Sequence, residues 1–128
     1  MGRIRKNIEV SGKQFWTLFD TGSRNTYVTP GVADLLHTYD LPSINPVSLG
    51  GKVHHLNKGC TLICKIEGYD VTDDARVLDK IGYDDDKKEI DILLGALTMQ
   101  RWGIVPVPEK KDIDMSHYPK EFVEFIEI

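Results

Sequence analysis

The stretch LFDTGSRNTYV, residues 18–28, sets one carboxylate, Asp20, directly after an apolar run and directly before the turn-forming pair Thr21-Gly22. Phe15 to Phe19 read as a short β-strand, so Asp20 leaves the end of an element that otherwise belongs in a core. A half-buried carboxylate without partners costs several kcal/mol. The turn offers them: backbone N–H groups, the hydroxyls of Thr21 and Ser23, and a glycine that permits positive φ and close approach of other atoms. Ser23 is expected to donate its hydroxyl to ionised Asp20. An ordinary Asp-containing turn at a strand end is the plainer reading of the triplet alone.

Working outward, the chain reads mostly as short strands. Ile8 with Val10, NTYVT, KVHHL, CTLICKI, DARVL and IDILL are β-type runs separated by Gly, Pro, Asn and Asp. That spacing favours an all-β barrel or sandwich. In CTLICKI, strict alternation puts Cys60, Leu62, Cys64 and Ile66 on one face, which makes the two cysteines buried thiols rather than metal or redox groups; their spacing fits no common zinc pattern. Two helical pieces interrupt the strands: about one turn through Val32, Ala33, Leu35 and Leu36, and ALTMQRW, with Gly103 placed to close it. Residues 79–91 carry mixed charge around Gly82 and read as a solvated loop. The tail, with Phe122, Phe125 and Ile126, fits a helix face or a terminal strand equally and is kept as a possible interface.

Composition limits the functional classes. With 128 residues, 41% hydrophobic and 28% charged, the chain has a globular composition and the size of one domain. One core is possible at this length, whereas a deep two-lobed cleft would need a second chain. A net charge of −4 without a basic stripe argues against nucleic acid; Arg3, Arg5 and Lys6 are too few. No apolar stretch approaches the roughly 20 residues of a membrane span, no apolar signal region follows the first basic residues, and Lys6 breaks a myristoylation motif. A cytoplasmic location is expected. His54 and His55, with His37 or His117, are a weak metal candidate because adjacent strand residues face opposite ways; no metal or cofactor is expected.

Further motifs stand at fixed distances from Asp20. Some seventy residues downstream, IDILLGALTM sets large aliphatic residues, ending in Leu94, against Gly95 and then opens a helix. Between the two, SLGGKVHHL places Gly50-Gly51 and Lys52 at a hairpin turn. Together these resemble the aspartic proteases of the retroviral-protease type over residues 8–105, leaving 106–128 as a C-terminal extension of a single domain. The resemblance implies a small closed all-β acid-protease barrel with one or two short helices. It makes Asp20 the catalytic carboxylate, Thr21 a link between active-site loops across a dimer, Gly22 a contact for substrate backbone, and Ser23 part of loop support. Leu94 and Gly95 would support the loop from the second motif, and Gly50, Gly51 and Lys52 would form a flap over a peptide. Pepsin-like chains carry two such triplets; this chain has one, which implies a homodimer whose two-fold axis joins two Asp20 carboxylates. Viral members often carry an ion pair at the positions of Arg24 and Ala96, and both halves are absent here. The competing reading is a catalytically weak or inactive dimeric peptide-binding or scaffolding module on the same fold.

Overall fold

A computed structural model describes residues 3–119, without the side chains of 43–45 and 49. Seven strands form one ring-like sheet: β1 (Ile4–Val10), β2 (Lys13–Phe19), β3 (Tyr27–Val28), β4 (Thr38–Leu49), β5 (Lys52–Ile66), β6 (Tyr69–Val77) and β9 (Ile92–Leu94). Their order is β1-β2-β9-β3-β6-β5-β4, and β1 also meets β5 at Glu9 and Lys65, which closes the ring. Two small pairs stand apart from it: β7 (Gly82–Tyr83) with β8 (Glu89–Ile90), and β10 (Val105–Val107) with β11 (Asp112–Asp114). The helices are α1 (Pro30–Ala33) and α2 (Ala96–Trp102). None of the helices among the described residues is long and apolar enough to cross a membrane.

The uninterrupted apolar runs become strands with both faces covered. Phe19, Val28, Ile92 and Leu94 enter the main core with Ile8, Val10, Leu62 and Val71, while their neighbours Leu18, Tyr27 and Leu93 point the other way into a smaller cluster with Leu56, Leu78 and Ile90. Covering on both sides removes any polar alternation, which is why LF and ILL read as continuous hydrophobic segments. β9 lies parallel to β2 and antiparallel to β3, so the second motif is threaded between the two strands that flank the Asp20 turn.

KVHHL and CTLICKI, expected as two strands, are one fifteen-residue strand, β5. Gly59 joins them: a Cβ there would stand 2.6 Å from the Tyr39 ring, so the missing side chain lets an aromatic cover the strand. Cys60 and Cys64 are free, buried thiols on the core face beside Leu62 and Ile66.

Two segments are more ordered than expected. Residues 79–91 form the β7–β8 hairpin rather than a solvated loop, because Asp84 accepts hydrogen bonds from the N–H groups of Asp86 and Lys88 (both 2.9 Å) and from Trp16 Nε1 (2.7 Å). Lys88 then lies over the Trp16 ring, 4.1 Å from its centre. The buried cluster also extends beyond 8–105 in both directions, taking in Ile4, Ile113 and Met115. Gly103 closes α2 in the left-handed region, and a Cβ there would meet the His117 carbonyl oxygen at 2.2 Å. Tyr118 donates to the Asp70 carbonyl (2.6 Å) and stacks on Trp102. The tail residues Phe122, Phe125 and Ile126 lie outside the described residues.

Candidate active site

Asp20 is the first residue past β2, half-buried and held at three points. Its N–H donates to the Leu94 carbonyl (3.0 Å), its own carbonyl accepts from Ser23 N–H (3.2 Å), and its Oδ1 accepts from Gly22 N–H (2.9 Å). A Cβ on Gly22 would lie 3.1 Å from that same Oδ1, so a side chain would crowd the carboxylate that the turn is holding. Ser23 does not take the expected part: its Oγ donates to the Asn25 carbonyl (3.0 Å), stabilising the turn rather than the charge on Asp20. A hydroxyl whose nearest acceptor is its own loop's carbonyl satisfies that group first.

The loop is fastened to α2 through main-chain groups. A helix begins with N–H groups that have no partner within it. Here Ala96 N–H donates to the Ser23 carbonyl (2.7 Å) and Leu97 N–H to the Arg24 carbonyl (3.1 Å). Gly95, the residue that precedes the helix, has an ordinary φ of −91°. Its absent side chain is required by proximity instead, since a Cβ would sit 2.2 Å from the Asn25 carbonyl oxygen. Leu94 is fully buried and contributes the carbonyl that holds Asp20.

A buried polar chain continues from this contact, and sequence reading missed it. Gly95 N–H donates to Thr26 Oγ1 (3.0 Å), Thr26 and Thr98 hydroxyls meet at 2.7 Å, and Thr98 donates to Asp73 Oδ2 (2.8 Å). Arg101 pairs with the other Asp73 oxygen at 3.5 Å. If Thr26 donates to Thr98, each hydroxyl gives one hydrogen bond and accepts one, which leaves neither buried group wanting. This chain ties loop, helix and β6 together. A threonine inside a short helix, at a position with no cap to make, was the available signal.

The tip of the β4–β5 hairpin faces the same site. Leu49 pairs with Lys52, leaving Gly50 and Gly51 as a two-residue turn with φ of 57° and 79°. Positive φ at both central positions is what the tightest hairpins demand, so the two glycines are explained. A cleft of about 360 Å³ is lined by Asp20, Gly22, Ser23, Arg24, Asn25 and Tyr27 on one side and by Val47, Ser48 and Gly50 of the hairpin on the other. Of the expected site residues, Thr21, Gly51 and Lys52 are exposed and do not line that cleft. Asn25 also borders a neighbouring cavity of about 210 Å³, together with Tyr39, Leu41, Asp74 and Arg76.

No protein-family model matches the chain, and no curated protein matches it in sequence. Solved structures do. The retroviral protease-like domain of Ddi1 from Leishmania major superposes with a TM-score of 0.65, covering 91% of this chain and 90% of that one at 10% identity. EIAV protease complexed with the inhibitor HBY-793 gives 0.56 over 79% and 88% at 17% identity. A foamy viral protease-reverse transcriptase gives 0.54 at 11% identity, with 78% of this chain matching 12% of that longer one. With the strand that bears Asp20, the threaded second motif and the overhanging hairpin all in their expected order, the chain has the retropepsin-like, all-β fold.

Proposed function

We propose that the protein is an aspartic endopeptidase whose active site forms when two copies bring their Asp20 carboxylates together on a two-fold axis. The observation that carries this reading is the setting of Asp20: a half-buried carboxylate, pinned through one oxygen by Gly22 N–H, opening into a cleft roofed by a glycine-tipped hairpin. One chain supplies a single motif carboxylate and one side of such a cleft, on a fold similar to that of EIAV protease and of a retroviral protease-like domain.

Two carboxylates about 3 Å apart cannot both ionise, so the pair shares one proton. The ionised member takes a proton from a water, which attacks the scissile carbonyl carbon, while the protonated member donates a hydrogen bond to the carbonyl oxygen. The proton taken from the water then passes to the amine nitrogen as the C–N bond breaks, which returns the pair to one shared proton. The cleft closes over an extended peptide when the hairpin, acting as a flap, descends onto its backbone. No metal or cofactor enters these steps.

Asp20→Asn tests the reading. The amide can keep the Gly22 hydrogen bond but can neither take a proton from water nor share one, so a folded dimer with no peptide cleavage is expected. The check is mass-spectrometric sequencing of a digested peptide library beside sedimentation and circular dichroism of the variant. Cleavage retained by folded Asp20→Asn would overturn the proposal. A wild type that binds peptides and never cuts them would instead favour the binding-module reading.

A further inference from the structure

Arg24 lines the Asp20 cleft with an exposed side chain, and among the described residues it enters no ion pair. Its structural duty falls on the backbone, where its carbonyl accepts from Leu97 N–H. The guanidinium is therefore free of any task in holding the loop. Among the lining residues of the cleft, Asp20 is the one acid and Arg24 the one base. The adjoining cavity likewise holds one acid and one base, Asp74 and Arg76. Arg24 is thus a cation with no ion pair among the described residues, in the cleft where a peptide would lie, and its backbone is held by Leu97 N–H.

We infer that Arg24 makes the cleft select peptides with an acidic side chain, and that the two copies of Arg24 in the dimer place this preference on both sides of the scissile bond at equal distances from it. The inference rests on the homodimeric protease reading. A guanidinium offers a planar pair of N–H donors that match the two oxygens of a carboxylate in parallel hydrogen bonds, whereas an amide of the same size has one acceptor oxygen and no charge. An extended chain across the two-fold axis meets the same groups in reverse order on its second half, which is why a single residue yields two preferred positions. Because the site is open to solvent, the effect is screened by salt.

The test uses the full chain and peptide pairs that differ only by Glu or Gln at one position, walked along both sides of the cleaved bond. A preference for Glu of about tenfold in kcat/KM is expected at two symmetric positions at low ionic strength, shrinking as salt is added. In Arg24→Gln the Glu-to-Gln ratio should fall to about one, and in Arg24→Glu it should invert, with Gln peptides cut faster than Glu peptides. Since the Arg24 side chain is exposed, circular dichroism should show both variants folded; Arg24→Lys, retaining charge without the planar fork, should give an intermediate ratio. Equal cleavage of Glu and Gln peptides by the wild type, or a preference that survives Arg24→Gln, would overturn the inference while leaving the protease reading intact. The same peptides are also titrated by fluorescence anisotropy onto Asp20→Asn protein. Tighter binding of Glu peptides that vanishes with Arg24→Gln upholds the role of Arg24 whether or not the chain cuts, and if the wild type then cuts none of these peptides it overturns the hydrolytic reading alone; equal binding of Glu and Gln peptides would overturn the role of Arg24.

Discussion

Gly22 and Gly95 both lack a side chain because of a neighbour rather than a torsion. At Gly95 the constraint is the severe one, with the Asn25 carbonyl oxygen 2.2 Å from where a Cβ would stand. Backbone cannot yield as the tip of a flexible side chain does, so Gly95→Ala should push the 23–26 loop from α2 and cost about 1–3 kcal/mol, the usual range for overpacking. Urea denaturation followed by circular dichroism measures the loss, and peptide cleavage should fall with it because Asp20 rides on the displaced loop. Asp20 and Gly95 were both legible in the sequence, since a charge at the end of an apolar run and a glycine after one are local anomalies. Thr26 and Thr98 were not, because each makes sense only beside the other, and 72 residues separate them. The buried cysteines allow a second test at this scale. Burial, reinforced by the nearby Asp74 and Asp70 carboxylates, pushes the Cys60 thiol up to about 11 and the Cys64 thiol to about 12. Thiols in the unfolded chain ionise near 8.5, so above that pH the unfolded state sheds protons that the native state retains. Their contribution is whole below about pH 8.5 and declines as pH rises towards the folded values, by up to about 1.4 kcal/mol per pH unit for each thiol. A Cys60→Ala, Cys64→Ala double variant should therefore lose stability less steeply between pH 9 and 11, and the native thiols should resist a thiol reagent at neutral pH.

At the scale of elements, strands buried on both faces declared themselves and conditional structure did not. IDILL and LFD carry enough consecutive apolar residues to be read without their neighbours. DKIGYDDDKKEID does not, because its hairpin depends on an indole supplied from β2 and on an Asp84 carboxylate that organises the turn. The run of charges conceals one member with a structural task. Hydrogen bonds from Lys88 N–H first, and from the Trp16 indole and Asp86 N–H, hold Asp84 below the usual carboxylate range. With its folded pKa depressed, the stability that Asp84 confers is present above about pH 4, the unfolded value, and is lost as pH falls through the folded one. Acid should thus release β7–β8 from Trp16 before the ring sheet opens. The Trp16 indole N–H resonance reports this directly: it should move upfield below about pH 4, and in Asp84→Ala it should already sit at the released position at pH 7. An indole resonance unmoved by acid or by the substitution would mean that the hairpin is held by other contacts. The β4–β5 turn is the contrary case, in which two glycines and the pairing of Leu49 with Lys52 specify the hairpin locally.

On the scale of the whole molecule, the ring sheet and its C-terminal segment form one packed body, with Ile113 and Met115 in the main core and Tyr118 against β6 and α2. That body still presents only one Asp20, and every catalytic step proposed above needs two. A monomer would offer half a dyad, one hairpin and an open groove, so its turnover should be negligible. The dimer in turn would gain a site lying on its axis, which neither copy possesses alone. Initial rate per chain should therefore rise with protein concentration and level off where sedimentation shows dimerisation to be complete. A peptide-like inhibitor long enough to span both halves binds the assembled state alone, so it should shift the sedimentation transition to lower concentration by mass action, by an amount that grows with inhibitor concentration. Asp20→Asn should still sediment as a dimer, which separates loss of chemistry from loss of assembly. The decisive contrast is between the two measurements on one dilution series. Coincident transitions in rate and in mass tie turnover to the shared dyad, whereas a constant rate per chain from a species that sediments as a monomer throughout would require Asp20 to work with a second acid of its own chain and would end the two-fold reading.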